Sequence, residues 1–276
     1  MEYLLVVSDM DGTLLRDDKS ISPRTTLAIE RYEAAGGRFT VATGRNVEAA
    51  GQHVRKLGLR TPMLLLNGCL GYDAATDSDL FCRGLSRPLV EAVWPALVQH
   101  PVEVVVHGPR RAMTREINDR VAEHLRLDGI TADVRPDLAP VHTGEVVKIL
   151  TIGDADVLDS LEATILGAGL PVQTVRSHPE YLELLAAEGG KANALITLAG
   201  HLQIPIERTL AVGDYLNDLE MLQAAGLSVA MGNAHPAIKQ MAHRWTATNE
   251  EDGVALLLEA LVAGRPVGNV PEARVK

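Results

Sequence analysis

Residues 4–15 read LLVVSDMDGTLL, a short apolar run that ends in two aspartates, Asp9 and Asp11. An apolar run of this length is typical of a strand buried on both faces, as in a parallel sheet. Side chains two positions apart on a strand share one side, so the pattern aims both carboxylates at one place, with Met10 pointing into the core. Like charges held close disfavour each other's ionised forms, so the sequence predicts that something compensates them there.

Helix and strand patterns alternate after this run. Residues 21–37, ISPRTTLAIERYEAAGG, predict a helix with Ser22 as N-cap, Pro23 at the first helical position and a glycine stop. Residues 38–44 and 62–68 predict strands, and a helix is expected between them from about residue 46 to residue 57. Strand–helix–strand order with short links predicts an α/β fold, a Rossmann-like parallel sheet with helices on both faces.

The pattern changes at about Phe81 and returns after Gly189. Between them, helices are expected near residues 87–99, 115–125 and 155–166, and they mix with strand-like runs such as VEVVVHG and EVVKILTIG. Glycine and proline punctuate this zone. The sequence therefore predicts a discontinuous α/β core, residues 1–82 and 188–276, interrupted by an inserted α+β domain, residues 83–187.

Composition excludes several classes of protein. The 276 residues carry a formal net charge of −10 with no dense basic block, so we expect no nucleic-acid partner. Two cysteines, Cys69 and Cys82, cannot form a disulfide framework and match no metal motif, which indicates a reducing compartment. We expect no signal peptide or membrane span, because no apolar stretch is long enough, and we predict a cytoplasmic protein.

Polar residues cluster where the predicted strands of the core end, which is the edge where open parallel sheets bind ligands. In addition, a lysine opens a predicted helix. The residues are Asp9, Asp11, Thr43, Gly44, Arg45, Asn67, Gly68, Asp214, Asn217, Asp218 and the helix-opening Lys191.

The chemistry of these residues is mutually consistent. Asp9, Asp11 and Asp214 offer the hard oxygen ligands that Mg²⁺ prefers, and the cation would relieve their repulsion. Donors and positive charge for a phosphate come from Thr43, Lys191, Asn217 and the backbone amides near Gly44. A carboxylate can act as nucleophile in phosphoryl transfer, and a second carboxyl two residues on can serve as general acid and base.

DMDGTLL (residues 9–15) resembles the first motif of the haloacid dehalogenase superfamily, and VGDYLNDLEML (residues 212–222) resembles its fourth. VATGR and the lysine of EGGKANAL resemble the second and third motifs, in family order. The later VAMGNAHPAIKQMA and TNEEDGVALLL are similar to the Cof-type branch, whose cap lies between the second and third motifs. This resemblance implies a phosphatase with a HAD-like core.

The resemblance also implies a role for each matching residue. Asp9 would be the nucleophile and a Mg²⁺ ligand, and Asp11 would be the general acid/base with its backbone carbonyl on the metal. Asp214 would complete the metal site, and Thr43 and Lys191 would bind the transferring phosphoryl group.

Four further matches have supporting roles. Asn217 would contact phosphate beside the backbone at Gly44, and Asp218 would orient the metal site or the lysine rather than ligate directly. Arg45 is either a substrate contact or a structural salt bridge.

The leading hypothesis is a Mg²⁺-dependent phosphatase for a small phosphorylated metabolite, with sugar phosphates as one candidate class. A sugar phosphomutase is an alternative, for which Arg110 and Arg111 are the obvious second phosphate site. A non-enzymatic phospho-acceptor signalling module is another. Substrate choice is expected in the inserted domain, whose candidate residues are His107, Arg110, Arg111, His178, Glu180, Tyr181 and Glu183.

Overall fold

The computed structural model describes residues 1–140 and 145–268. Its strands are β1 (Leu5–Ser8), β2 (Arg38–Val41), β3 (Met63–Leu65), β4 (Leu70–Asp73), β5 (Ser78–Cys82), β6 (Glu103–His107), β7 (Ala112–Thr114), β8 (Ala132–Val134), β9 (Lys148–Ile152), β10 (Val172–His178), β11 (Tyr181–Ala186), β12 (Thr209–Gly213), β13 (Leu227–Ala230) and β14 (Arg244–Trp245). Its helices are α1 (Pro23–Ala34), α2 (Val47–Val54), α3 (Arg87–Gln99), α4 (Asp119–Asp128), α5 (Ala155–Gly167), α6 (Lys191–His201), α7 (Leu219–Ala224), α8 (Pro236–Met241) and α9 (Gly253–Val262).

A parallel sheet with strand order β14-β13-β12-β1-β2 forms the centre of the chain. Strand β1 lies between β12 and β2, and its Val7 is level with Ala211 on one side and Thr40 on the other. All four residues of β1 are buried, as the apolar run predicts for a strand enclosed on both faces. The neighbouring position of β1 and β12 brings the ends of two strands that are distant in sequence to one edge.

Helix α1 begins where the capping residues predict. The Ser22 hydroxyl accepts a hydrogen bond from the Thr25 backbone N–H at 3.0 Å, and Pro23 occupies the first turn. Ala28, Ile29 and Tyr32 are buried against the parallel sheet. The predicted helix and its start are confirmed.

A three-stranded antiparallel sheet, β3-β4-β5, extends from the parallel sheet. The sequence placed β3 in the parallel sheet, whereas β3 contacts it through the single parallel bridge Ala42–Leu64 and pairs along its length with β4. Strands β4 and β5 were not predicted, because LGYD and SDLFC mix glycine and aspartate with apolar residues and lack a clear period of two. The free thiols Cys69 and Cys82 lie beside and within this sheet.

A second sheet, which we call the mixed sheet, has the order β10-β11-β9-β6-β7-β8 and is antiparallel except for the β7–β8 pair. Helices α3 and α5 pack on one of its faces through Val93, Leu97 and Leu161. Helix α4 packs on the other face through Val121 and Leu125. This α+β unit lies between the two segments of the parallel sheet, so the predicted fold class is confirmed.

Helix α4 starts four residues later than the sequence pattern indicated. The Asn118 side chain accepts from the Val121 backbone N–H at 3.1 Å and so caps the helix before Asp119. The residues from Arg115 to Asn118 form no helix because the cap fixes the start.

The apolar residues gather into separate clusters around the two sheets. The boundaries at 82/83 and 187/188 stay a prediction, and residues 141–144 and 269–276 of the two proposed domains lie outside the described residues. In the part of the chain that the structure describes, we find no helix with the length and apolarity to cross a bilayer.

Two leucines of α5 give a matched test of this packing. Leu161 is 0% exposed and Leu166 is 57% exposed. We expect Leu161→Ala to lower the free energy of unfolding by about 2–5 kcal/mol, because it leaves a cavity under the mixed sheet. Leu166→Ala should change it by less than about 0.5 kcal/mol. Urea denaturation of both variants measures the difference, and equal losses would contradict the placement of α5.

Candidate active site

The carboxyl ends of the adjacent strands β1 and β12 place Asp9 beside Asp214. Each of Asp9, Asp214 and Asp218 offers a carboxylate oxygen, and these atoms lie within 4.8 Å of one another. Asp9 is buried and Asp214 is half-buried. The predicted convergence of these strand ends is therefore present in the structure.

Lys191, the first residue of α6, supplies the positive charge of this cluster. Its Nζ donates to Asp9 Oδ1 at 2.6 Å and to Asp218 Oδ1 at 2.7 Å, and its side chain is 1% exposed. The second oxygen of Asp218, Oδ2, accepts from the backbone N–H groups of Asp214 at 3.0 Å and Tyr215 at 3.3 Å. Both oxygens of Asp218 are thus engaged, and their contacts orient the lysine and the turn after β12.

The proton affinities of this cluster reflect its crowding. Burial and the charge of Asp218 raise the pKa of Asp9 well above its ordinary value, and Lys191 only partly opposes them. Burial and the same neighbour raise the pKa of Asp214 to about 7. For Lys191, burial works against the charged form, but Asp218 and Asp9 outweigh it and hold the pKa above its ordinary value.

The residues fit a hard divalent cation such as Mg²⁺. Three carboxyl groups, those of Asp9, Asp214 and Asp218, surround the single ammonium group of Lys191, and oxygen-rich sites of this kind suit Mg²⁺. Gly12 lets the loop approach closely: its φ is +74°, and a Cβ there would lie 2.4 Å from Asp214 Oδ2. The Thr13 hydroxyl donates to Asp214 Oδ1 at 2.9 Å and fixes that carboxylate.

Asp11 has its own counter-charges. Arg45 donates to it twice, from Nε to Oδ2 at 2.7 Å and from Nη2 to Oδ1 at 2.9 Å, and Lys19 Nζ donates to Oδ1 at 2.7 Å. Burial alone would raise the pKa of Asp11, but the bonds and charges of Arg45 and Lys19 outweigh burial and hold it below its ordinary value.

The protein groups that compensate the two aspartates are therefore different, while a shared cation stays a prediction. The strand ends at Ser8, and the turn that follows no longer alternates sides, so Asp9 contacts Lys191 while Asp11 contacts Arg45 and Lys19. Met10 between them is fully buried, as predicted.

Arg45 forms a salt bridge with Asp11, which is one of the two roles predicted for it from the sequence. Its side chain is 4% exposed, and Nη1 also lies 3.9 Å from Asp128 Oδ1. Its role as a substrate contact stays a prediction. Lys19 was not predicted, because a lysine in a loop gives no local signal of its partner.

A cleft of about 630 Å³ opens between the parallel and mixed sheets over these residues. The predicted core residues that line it are Asp9, Asp11, Thr43, Gly44, Arg45 and Asn217. Of the predicted residues in the inserted segment, it is lined by His178, Glu180, Tyr181 and Glu183. The cleft lining missed by the sequence analysis includes His124, Leu127, Asp128, Lys148, Leu150 and Ile152.

The other predicted residues of the inserted segment lie elsewhere. Arg110 donates to Asp79 at 2.6 Å, Arg111 lies 3.6 Å from Asp133, and neither arginine lines the cleft. His107 is buried beneath the cleft wall, at 6.1 Å between ring centres from His124. Among the missed residues, Lys148 had a readable signal, since it is a lone lysine inside the apolar run EVVKILTIG.

The raised pKa of Asp214 predicts a pH dependence of stability. Near neutral pH the folded metal-free protein binds a proton here that the unfolded chain has already lost, so its stability rises as the pH falls through about 7. We expect the free energy of unfolding to be larger at about pH 6 than at about pH 8 by on the order of 1 kcal/mol, with Asp9 acting in the same direction.

Thermal unfolding in chelator at the two pH values measures this difference. Asp214→Asn removes the titrating group and should flatten the profile. An equal slope in the variant and the parent protein would contradict the assignment to Asp214.

Comparison with known proteins agrees with this geometry. The sequence profile of haloacid dehalogenase-like hydrolases matches residues 6–258. The 5-amino-6-(5-phospho-D-ribitylamino)uracil phosphatase YitU of Bacillus subtilis is 30% identical over 267 residues, which cover 92% of this chain and 96% of that protein. The HMP-PP phosphatase of Cronobacter sakazakii is 29% identical over 231 residues, 83% of this chain and 84% of that protein.

A crystal structure gives the same assignment. The haloacid dehalogenase-like hydrolase from Bacteroides thetaiotaomicron shares the fold with a TM-score of 0.83 and 29% identity, over 94% of this chain and 99% of that one. The superfamily that the motifs indicated is confirmed: the chain belongs to the haloacid dehalogenase-like hydrolases, and phosphatases are among its relatives.

Proposed function

We propose that this protein is a Mg²⁺-dependent phosphatase that hydrolyses a small organic phosphate monoester through an aspartyl-phosphate. The observation that carries the proposal is the pairing of Asp9 with Lys191 beside Asp214, at the floor of a cleft that Asp11 and Thr43 also line. The proposed nucleophile, acid/base group and phosphate donor thus line the same space, and the counter-charge lies buried against the nucleophile.

In this proposal, Asp9, Asp214 and the backbone carbonyl of Asp11 hold the cation. When bound, Mg²⁺ supplies positive charge that offsets the carboxylates and the phosphate oxygens. Lys191 holds the Asp9 carboxylate, and it neutralises charge on the transferring group together with the Thr43 hydroxyl. Asn217 and the backbone at Gly44 add donors from the cleft wall.

The reaction then runs in two displacements. A carboxylate oxygen of Asp9 attacks phosphorus, the bond from phosphorus to the leaving oxygen breaks, and Asp11 gives that oxygen a proton. Asp11 next takes a proton from water as the water oxygen attacks phosphorus. The acyl phosphate bond breaks, and inorganic phosphate and the Asp9 carboxylate are released.

The acid role of Asp11 requires a change in its contacts. Arg45 and Lys19 hold its carboxylate ionised, and an ionised carboxylate cannot give a proton to the leaving group. We propose that the incoming phosphate draws Arg45 away, since a guanidinium binds phosphate as well as carboxylate in a two-pronged geometry. In this proposal, Arg45 first forms the salt bridge with Asp11 and then contacts the substrate phosphate, so it fills both predicted roles in turn.

The size and lining of the cleft suit a small metabolite. A volume of about 630 Å³ lies within the range of small-molecule sites, and the mixed sheet contributes apolar and ring-bearing side chains such as Leu150 and Tyr181. The proposed substrate is therefore a small phosphorylated metabolite, with sugar phosphates as one candidate class, and the proposed location is the cytoplasm.

The mutase alternative lacks support in this geometry. Its expected second phosphate site, Arg110 and Arg111, is paired with carboxylates outside the cleft. The phospho-acceptor alternative differs from a phosphatase in the lifetime of the phosphorylated protein, which would be long in a signalling module and short in an enzyme that turns over.

The first test is hydrolysis of a generic aryl phosphate. We expect turnover with Mg²⁺, loss of turnover in excess chelator, and recovery on adding Mg²⁺ back. Asp9→Asn should lower kcat by at least about 1,000-fold, because the amide is not a nucleophile. Full activity in this variant, with folding checked by circular dichroism, would overturn the proposal.

The second test traps the covalent intermediate. Borohydride reduces an acyl phosphate, so quenching the protein during turnover should convert the side chain of residue 9 to homoserine, which peptide mass spectrometry detects. Asp9→Asn provides the blank. A phosphorylated Asp9 that persists for many minutes without releasing phosphate would favour the phospho-acceptor module over the phosphatase.

A further inference from the structure

Lys148 is the charged residue at the start of β9, and it reaches from the mixed sheet to the loop after β2. Its Nζ donates to the Gly44 carbonyl at 2.9 Å and lies 2.8 Å from Glu183 Oε2. Both charged side chains are 4% exposed. A buried ion pair of this kind is costly to desolvate, and replacing it by apolar residues is often neutral or stabilising, so stability alone does not explain it.

Glu183 extends the contact to a second point on the core. Its Oε2 also accepts from Asn67 Nδ2 at 2.6 Å, and its Oε1 accepts from the Ser177 hydroxyl at 2.5 Å. Asn67 in turn donates its backbone N–H to the Thr43 carbonyl at 2.8 Å. Glu183 therefore connects through Lys148 to Gly44 and through Asn67 to Thr43.

These contacts close a ring, which we call the loop ring, through Thr43, Gly44, Lys148, Glu183 and Asn67. Two members come from the mixed sheet and three from the core. The covalent link between Thr43 and Gly44 completes the circuit. A closed ring fixes each member from two sides, so a shift of the mixed sheet changes the position of the loop.

The ring holds the loop by its carbonyl groups. Thr43 O accepts from Asn67 N and Gly44 O accepts from Lys148 Nζ, while Arg45 O accepts from the Leu66 N–H at 3.0 Å. The carbonyl and N–H of a trans peptide point in opposite directions. With Thr43 O turned to Asn67, the Gly44 N–H lies on the other side of the loop, where an anion can accept from it.

The partner segment is itself in an unusual backbone conformation. Leu66, Asn67 and Gly68 have φ values of 51°, 53° and 82°. Such a conformation in a leucine is costly and persists where surrounding contacts impose it, which is frequent beside functional sites. It directs the N–H groups of Leu66 and Asn67 onto the loop.

We propose that Lys148 and Glu183 are positioning residues that hold the Thr43–Arg45 loop in its phosphate-binding conformation, so that phosphate affinity depends on the mixed sheet being docked. This inference rests on the proposed function, because it assigns the loop to phosphate. It adds a regulation of that site: undocking of the mixed sheet releases Gly44 O and Asn67 together and loosens the loop.

The test compares Lys148→Met with a matched variant that also removes an ion pair of the mixed sheet. Arg176 pairs with Asp159 at 2.6 Å and with Glu162 at 3.1 Å, away from the loop, so Arg176→Met is the control. Two quantities are measured on each folded protein: amide hydrogen exchange at Thr43 and Leu66, and the Kd of inorganic phosphate with Mg²⁺ by calorimetry.

For Lys148→Met we expect exchange at both amides to accelerate and phosphate binding to weaken, each by about tenfold to a hundredfold. Arg176→Met should change both by less than about twofold. Asn67→Gly is the second variant, since glycine accepts the positive φ, keeps the backbone N–H that bonds to Thr43, and removes the side chain that bonds to Glu183. It should shift both quantities in the same direction, and it decides the matter if Lys148→Met does not fold.

Three results would overturn the inference. Unchanged exchange with weaker phosphate binding makes Lys148 a direct ligand, faster exchange with unchanged binding makes the ring merely structural, and no change in either removes its role. A parent protein that binds no phosphate contradicts the proposed function as well. If the parent protein binds phosphate and the variants match it in amide exchange and phosphate Kd, only this inference is contradicted.

Discussion

The contact between Lys191 and two buried carboxylates is the constraint on which the site depends. A single ammonium group lies between Asp9 and Asp218, with Asp214 close by, so three carboxyl groups share one counter-charge in a poorly solvated place. Charges that are buried without full compensation are tolerated where they serve binding or chemistry. The cluster therefore explains why a cation is proposed at this site, at the end of the central strands.

The parallel sheet creates this cluster, and the mixed sheet completes the cleft above it. Strands β1 and β12 are adjacent, so Asp9 and Asp214 meet although about 200 residues separate them in sequence. The parallel sheet leaves the opposite wall open. Lys148, Tyr181 and Glu183 come from antiparallel strands whose register places them on one face, toward the core. Under the proposed function, the parallel sheet supplies the nucleophile and the mixed sheet supplies the surroundings of the leaving group.

The sequence predicted what depends on local pattern and missed what depends on register. The apolar run at β1, the cap at Ser22 and the alternation of strands and helices indicated the parallel sheet, and the predicted strand ends pointed to Asp9, Thr43 and Asp214. The loop ring was not predictable, because Lys148 and Glu183 meet through the pairing of β9 with β11 across 34 intervening positions. The turn after Ser8, which separates Asp11 from Asp9, depends on long-range contacts in the same way.

The two aspartates of the first motif have proton affinities that point away from their proposed tasks. The pKa of Asp9 is raised, although a nucleophile must be ionised, and the pKa of Asp11 is lowered, although an acid must hold a proton. A cation held by Asp9 and Asp214 would favour the ionised form of Asp9, and a phosphate that takes Arg45 would remove the larger of the two charge effects that keep Asp11 ionised, leaving that of Lys19. The cation would thus shift the protonation equilibrium of Asp9, and the phosphate would shift that of Asp11, each toward the form that the proposed reaction needs. Under the proposed function, the site becomes reactive only when the cation and the phosphate group are both bound. A site that holds only one of them leaves one aspartate in the wrong protonation state for the reaction.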